Sequence, residues 1–201
     1  MKIVCLDLEG VLVPEIWVSL SEKTGINELK WTTREIPDYD QLMQNRLQIL
    51  KKNKILAKDL LHIANELDPL EGAVDFLENI RSNFQVIILS DTFYDIAKPL
   101  FHKLKFPTIF CHNLDIDQDG FIINYNIRIK DHKRLSVEAF TKLNFKTIAV
   151  GDSYNDLSML RAADAGILFR STKEIKDNHK YYNCNSYNRL EEKIFSLADN
   201  I

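Results

Sequence analysis

Five short apolar runs recur along the chain, at residues 2–8, 85–90, 108–112, 147–150 and 165–169. Runs of four to eight residues rich in Val, Ile and Leu suit strands buried on both faces of a parallel sheet. Helical spacing separates most of them. The clearest case is Phe93, Ile96, Ala97, Leu100, Phe101 and Leu104, with Pro99 placed to kink or delay that helix. Strands alternating with helices predict an α/β protein built on a doubly wound parallel sheet. The 201 residues suffice for such a core plus a small accessory unit.

Two stretches break the alternation. Residues 14–71 carry helical patterns and no convincing strand, over a length unsuited to a simple crossover. They predict a helical cap inserted after the first strand, with the core formed by residues 1–13 and 72–201. The second stretch is "CHNLDIDQDGFIINYNIR", residues 111–128. Its Asp119-Gly120 pair between roughly alternating residues predicts a β-hairpin insert. Near the end, Leu190, Ile194, Phe195 and Leu197 predict a packing helix without visible chemistry.

Composition narrows the function classes. A net charge of −3 with no dense Lys/Arg block argues against nucleic acid as a partner. No apolar stretch reaches the length of a membrane span, and the N-terminus lacks a signal-peptide pattern. Cys5, Cys111 and Cys184 are few, odd in number and far apart, which speaks against a disulfide framework or a zinc site. Together these features predict a cytoplasmic protein.

The strand ends carry the chemistry. "IVCLD", "VIILSD" and "TIAVGD" each place an acid just beyond an apolar run: Asp7, Asp91 and Asp152. Open parallel sheets bind ligands outside the carboxyl ends of their strands. Acids gathered there repel one another, at a cost of roughly several kcal/mol when buried, unless a cation offsets them. Oxygen ligands without His or Cys favour a hard ion, and Mg²⁺ fits best where phosphate supplies a further ligand. A single Asp in this position is as often a helix N-cap, an alternative that suits Asp91. Three such acids, with Glu9 paired to the first, point to an active site.

"DLEGVLV", "ILSDT" and "GDSYND" resemble the motifs of the haloacid-dehalogenase superfamily of aspartyl-phosphate phosphotransferases. The helical insert resembles that superfamily's first type of cap, and the chain as a whole resembles the phosphoserine phosphatase branch. "CLDLEGVLVPEIW" and "LSDTFY" are similar to members that also pass a phosphoryl group from phosphoserine to homoserine. The resemblance implies that Asp7 is the nucleophile. It also implies Mg²⁺ held by Asp7, Asp152 and the main-chain carbonyl of Glu9. Ser90 and backbone N–H groups around Asp91 would hold phosphoryl oxygens. "KDHKRLSVEAF" reads as a helix start with Asp131 as cap, and a cation in a first turn opposes the helix dipole unless an anion is near. Position leaves Lys130, Lys133 and Arg134 in competition; the resemblance selects Lys133 for the phosphate. It further implies that Asn155 contacts substrate or phosphate and that Asp156 positions Lys133 or a metal-bound water. Ser153 stands where relatives often have Gly.

Substrate specificity would come from the insert. In "IPDYDQLMQNRLQIL", Arg46 falls near the apolar face of Tyr39, Leu42, Met43 and Leu50. An inward Arg needs an anion, and its fork suits a carboxylate. An Arg with only its stem buried fits the same spacing. Glu15 follows Pro14 at a helix start, where an acid is also at home for reasons of the dipole. The resemblance implies that Glu15 takes the ammonium and Arg46 the carboxylate of an amino acid. L-phosphoserine is then the donor, and L-homoserine a second acceptor beside water. Most members have Asp where this chain has Glu9, as the residue that protonates the leaving alcohol and deprotonates water. The longer side chain is expected to serve an alcohol acceptor as well, with a local packing role as the plain alternative. Two other functions stay open: a phosphatase for a different small phosphate ester, and a non-catalytic phospho-receiver. The insert and the paired acid at Glu9 weigh against the receiver. A homodimer is compatible with all three.

Overall fold

The computed structural model describes residues 1–201 apart from Thr33, Arg34 and Pro37. Strand β1 (Lys2–Leu6) shows why the sheet forms. Successive strand residues point to opposite faces. Val4 and Leu6 enter one apolar layer and Cys5 the other, all fully buried. The same division recurs in β2 (Gln85–Phe93) with Ile88 and Leu89, and in β5 (Lys146–Gly151) with Val150 and Ala149. A strand apolar on both faces must be covered on both. Helices α4 (Ala73–Asn83) and α5 (Tyr94–Lys103) and the last helix (Tyr187–Ala198) supply Phe76, Ile96 and Leu190 to the first layer. Helices α6 (His132–Lys142) and α7 (Leu157–Ala162) supply Val137 and Met159 to the second.

The remaining strands are β3 (Ile109–Ile116), β4 (Ile122–Asn126), β6 (Ala165–Phe169) and β7 (Tyr182–Cys184). Among the described residues the sheet has seven strands, in the order β4–β3–β2–β1–β5–β6–β7. All neighbours are parallel except β3 and β4, which pair antiparallel as the expected hairpin. Gly120 takes the left-handed φ of 89° that its turn requires. The chain moves outward from β1 to β4, then returns to add β5 beside β1. That reversal opens a crevice at the carboxyl ends of the central strands.

Residues 14–71 hold α1 (Ile16–Thr24), a short 3₁₀ turn (Asn27–Lys30), α2 (Tyr39–Lys52) and α3 (Ala57–Glu66). No strand occurs there among the described residues. The hairpin braces these helices. The Ala57 N–H donates to the Gly120 carbonyl at 3.0 Å, and the Tyr125 hydroxyl bonds Asp40.

Several expectations need correction. The first strand stops at Leu6 rather than Leu8, because the Leu8 carbonyl accepts from the N–H groups of Leu12 and Val13 and the chain turns. The second strand runs on to Phe93, so Asp91 lies inside a strand and caps no helix. Asp131 occupies the N-cap position of α6 but makes no side-chain cap bond; its carboxylate accepts from Arg134 and Ser158 instead. Strand β7 carries no apolar run in the sequence, and only one of its three residues is buried. The three cysteines are free and buried. No helix among the described residues is long and apolar enough to cross a membrane.

Candidate active site

Asp7 immediately follows β1 and is 5% exposed. Its Oδ1 accepts the Leu8 N–H at 2.7 Å and lies 2.9 Å from Lys133 Nζ. Lys133, in the first turn of α6, is equally buried. Its ammonium also reaches Asp156 Oδ1 at 2.8 Å and Asp91 Oδ2 at 3.4 Å. Of the three basic candidates near this helix start, only Lys133 meets these acids: Lys130 is exposed, and Arg134 pairs with Asp131 and Glu138. One cation thus faces three carboxylates.

The loop after β5 carries Asp152 to Asp156. Asp156 is fully buried, and its Oδ2 accepts the N–H groups of Asp152 and Ser153 at 3.0 and 3.2 Å. The loop closes over two glycines. A Cβ on Gly151 would stand 2.3 Å from the Asp156 Cβ, and one on Gly10 would stand 2.6 Å from Asp152 Oδ2. Asp7, Asp152 and Asp156 bring carboxylate oxygens within 4.8 Å of one another.

Burial, followed by repulsion from Asp156, raises the Asp7 carboxyl well above the usual range. Burial with repulsion from Asp156 and Glu15 pushes Asp152 up to about 7. Glu15 is pushed up to about 7 by burial and by Glu9. Burial also raises Glu9, against the N–H it accepts from Ile16. Asp91 differs: burial pushes its carboxyl up, but Lys133, His112, His132 and Asn155 outweigh that and hold it well below the usual range. Lys133 is held well above its usual value, its burial outweighed by Asp156, Asp7 and Asp91. These acids are poised for a positive partner.

The helices of residues 14–71 complete a cleft of about 480 Å³ that Asp7, Glu9, Glu15, Arg46, Lys133 and Asp152 all line. Glu9 Oε1 accepts the Ile16 N–H at 2.8 Å, at the start of α1. Arg46 faces inward and is 7% exposed. Its guanidinium lies over the Trp17 ring at 4.3 Å, and Nη2 donates to the Trp31 carbonyl at 2.7 Å. Burial lowers it to about 10. Ser90 Oγ accepts the Thr92 N–H at 3.2 Å. Asn155 Nδ2 donates to Asp91 Oδ2 at 2.8 Å, and its Oδ1 accepts from Ser153 Oγ at 2.5 Å. Sequence reasoning missed Trp17 and the buried pair His112 and His132. Trp17 lies far from Arg46 in the chain, and neither histidine stands in a ligand-like spacing.

A family model described as haloacid dehalogenase-like hydrolase matches residues 1–164. The chain belongs to the haloacid dehalogenase-like hydrolase family. Its membership sets aside the phospho-receiver alternative. Among curated members, it is 54% identical to "Phosphoserine phosphatase ThrH" of Pseudomonas aeruginosa, over 87% of this chain and 85% of that protein. It is 53% identical to a phosphoserine phosphatase of Pseudomonas syringae pv. tomato, over 99% of this chain and 84% of that protein. A solved phosphoserine phosphatase from T. onnurineus has the same fold, with a TM-score of 0.75 at 21% identity, covering 96% of this chain and 94% of that one. The doubly wound sheet of this hydrolase is therefore shared across distant relatives.

Proposed function

We propose that the chain is a Mg²⁺-dependent phosphoserine phosphatase working through an aspartyl-phosphate on Asp7, and that it also transfers the phosphoryl group to homoserine. The observation that carries the reading is the placement of charges around one cleft. Lys133 and the acids gather at the strand ends, while Arg46 and Glu15 come from the inserted helices. Phosphoserine presents a phosphate, a carboxylate and an ammonium, and each has a counterpart here. The curated relatives named phosphoserine phosphatase, at 53–54% identity, support the same reading.

The acids suit a hard cation. Asp152 Oδ1 is buried with no hydrogen-bond partner, and the gathered ligand atoms of Asp7, Asp152 and Asp156 are all oxygens. Asp156 is already engaged by Lys133 and by two N–H groups. That leaves Asp7 and Asp152, with the Glu9 carbonyl, as the proposed holders. When bound, Mg²⁺ screens the phosphate charge from an attacking carboxylate.

In this reading the Asp7 carboxylate attacks phosphorus, and the bond to the serine oxygen breaks as Glu9 gives that oxygen a proton. Glu9, now ionised, takes a proton from water, whose oxygen attacks phosphorus and releases phosphate and Asp7. Homoserine replaces water by offering its hydroxyl to the same base. Lys133 and Ser90 hold phosphoryl oxygens. Splitting the displacement in two lowers each barrier. Residues 14–71 act as a cap over the core of residues 1–13 and 72–201 that shuts out bulk solvent while admitting the attacking water or homoserine.

The test is release of phosphate from L-phosphoserine with Mg²⁺, with and without homoserine, and with products identified. Asp7→Asn should abolish turnover and leave the far-UV circular dichroism unchanged. Sustained turnover by that variant would remove Asp7 from its role, and indifference to phosphoserine would sink the substrate.

A further inference from the structure

Asp91 lines the cleft, and the two buried histidines next to it have no part in the proposed chemistry. Asp91 Oδ2 is taken by Asn155 and Lys133, while Oδ1 faces two buried imidazoles. His132 Nε2 stands 3.3 Å from Oδ1 and His112 Nε2 stands 3.6 Å from it. Such spacings resemble the edges of a tetrahedral transition-metal site, which are roughly 3.3 Å for bonds of about 2.0–2.1 Å. The tautomer of His112 decides against it. The Arg128 N–H donates to His112 Nδ1 at 3.3 Å. A nitrogen that accepts carries no proton, so neutral His112 is protonated at Nε2 and turns an N–H toward Asp91. A metal would need a lone pair there.

Asp91 is thus an anchored anion. Its hold passes to Asn155, and Asn155 in turn accepts the Ser153 hydroxyl. Ser153 and Asn155 belong to the loop that presents Asp152. That loop needs restraint, because Asp152 Oδ1 is buried with no hydrogen-bond partner to fix it. We propose that His112, Asp91, Asn155 and Ser153 form a strut that positions the Asp152 loop, tying it to β2 and β3. All four are positioning residues in this respect. The hydroxyl of Ser153 then has a physical use. The strut rests on the proposed role of Asp152 as a cation holder.

The test is calorimetric titration of Mg²⁺ into the cation-free protein, which needs no substrate. Ser153→Ala is neutral and small, and should weaken Mg²⁺ binding about 2- to 12-fold, the size of one neutral hydrogen bond. His112→Ala should weaken it similarly. His112→Gln, whose amide N–H falls near the place of Nε2, should recover most of the loss. Ser153 and His112 sit at opposite ends of the strut, so independent sites would give additive effects. The strut predicts that the double variant Ser153→Ala/His112→Ala binds no more weakly than the weaker single one. Unchanged affinity in Ser153→Ala, or strict additivity, would overturn it. So would equal losses in His112→Ala and His112→Gln, which would make His112 merely structural. An intense tetrahedral Co²⁺ band in the visible, lost in His132→Ala, would make the cluster a metal site and also overturn it. Coupled Mg²⁺ binding in a chain that ignores phosphoserine would sink the proposed substrate and leave the strut standing.

Discussion

Arg46 is a buried cation whose guanidinium meets the Trp31 carbonyl, Met43 Sδ and the Trp17 ring, and its Nε lacks a hydrogen-bond partner. Such a charge is costly unless a ligand completes it. Arg46→Ala should therefore raise KM for phosphoserine far more than for a phosphate ester lacking a carboxylate. A charged hydrogen bond is worth about 1.5–3 kcal/mol, or roughly 10- to 150-fold. Steady-state kinetics on both substrates checks this, and equal losses would make Arg46 structural. Glu9 shows what its extra methylene does locally. Glu15, at the N-cap of α1, makes no side-chain cap bond, and Glu9 supplies the acceptor from seven residues before Ile16. An Asp would fall short of that N–H. Glu9→Asp should therefore shift the start of α1, and with it Glu15, which is proposed to hold the acceptor. The ratio of homoserine phosphate to free phosphate should change at fixed homoserine. An unchanged ratio with both rates intact would leave Glu9 as a packing variant.

At the scale of elements, the loop after β5 does two jobs with one side chain. Asp156 pairs with Lys133 and caps the loop's own N–H groups. This geometry requires Gly151, where any Cβ would collide with Asp156. Gly151→Ala should cost about 1–3 kcal/mol of stability, as overpacking does. Activity should fall further than stability, because Asp156 and Lys133 move together. Denaturant unfolding beside phosphate-release rates separates the two effects. A stable and fully active variant would show that the loop has room to shift.

For the whole molecule, the buried acids make stability depend on pH. Asp152 and Glu15, raised to about 7, and Asp7 and Glu9, also raised, keep protons in the fold that the unfolded chain releases. Their contribution is complete below the ordinary carboxylate range and is lost as pH rises toward 7. Asp91 and Asp164, both lowered, act in the opposite sense, but below about pH 4. His132, whose pKa burial lowers, opposes the trend near its usual range as a single group against four. The cation-free protein should melt at a lower temperature at pH 7.5 than at pH 5.5, and Mg²⁺ should restore stability chiefly at the higher pH. Thermal melts in EDTA and in Mg²⁺ read this directly. A melting temperature that rises over that interval without cation would mean the acids are not strained.

The sequence by itself determined the doubly wound sheet, because doubly apolar runs of strand length are stable only when covered on both faces. It also made the strand-end acids and the hairpin turn legible, since both are local: an Asp directly follows β1 and β5, and Asp119-Gly120 favours a tight turn. Only the tertiary structure decided that Lys133, rather than Lys130 or Arg134, meets Asp7, because a helix can present any of its first-turn residues to the sheet. It alone placed Arg46 over Trp17 and joined Ser153 to His112 through Asn155 and Asp91. Those contacts link residues far apart in the chain, and no periodicity records which distant side chains will share a wall. Asp91 shows the limit most plainly. An acid two residues before an aromatic pair reads locally as a helix cap. The strand's continuation to Phe93 makes it instead an anion held between two imidazoles, a lysine and an amide.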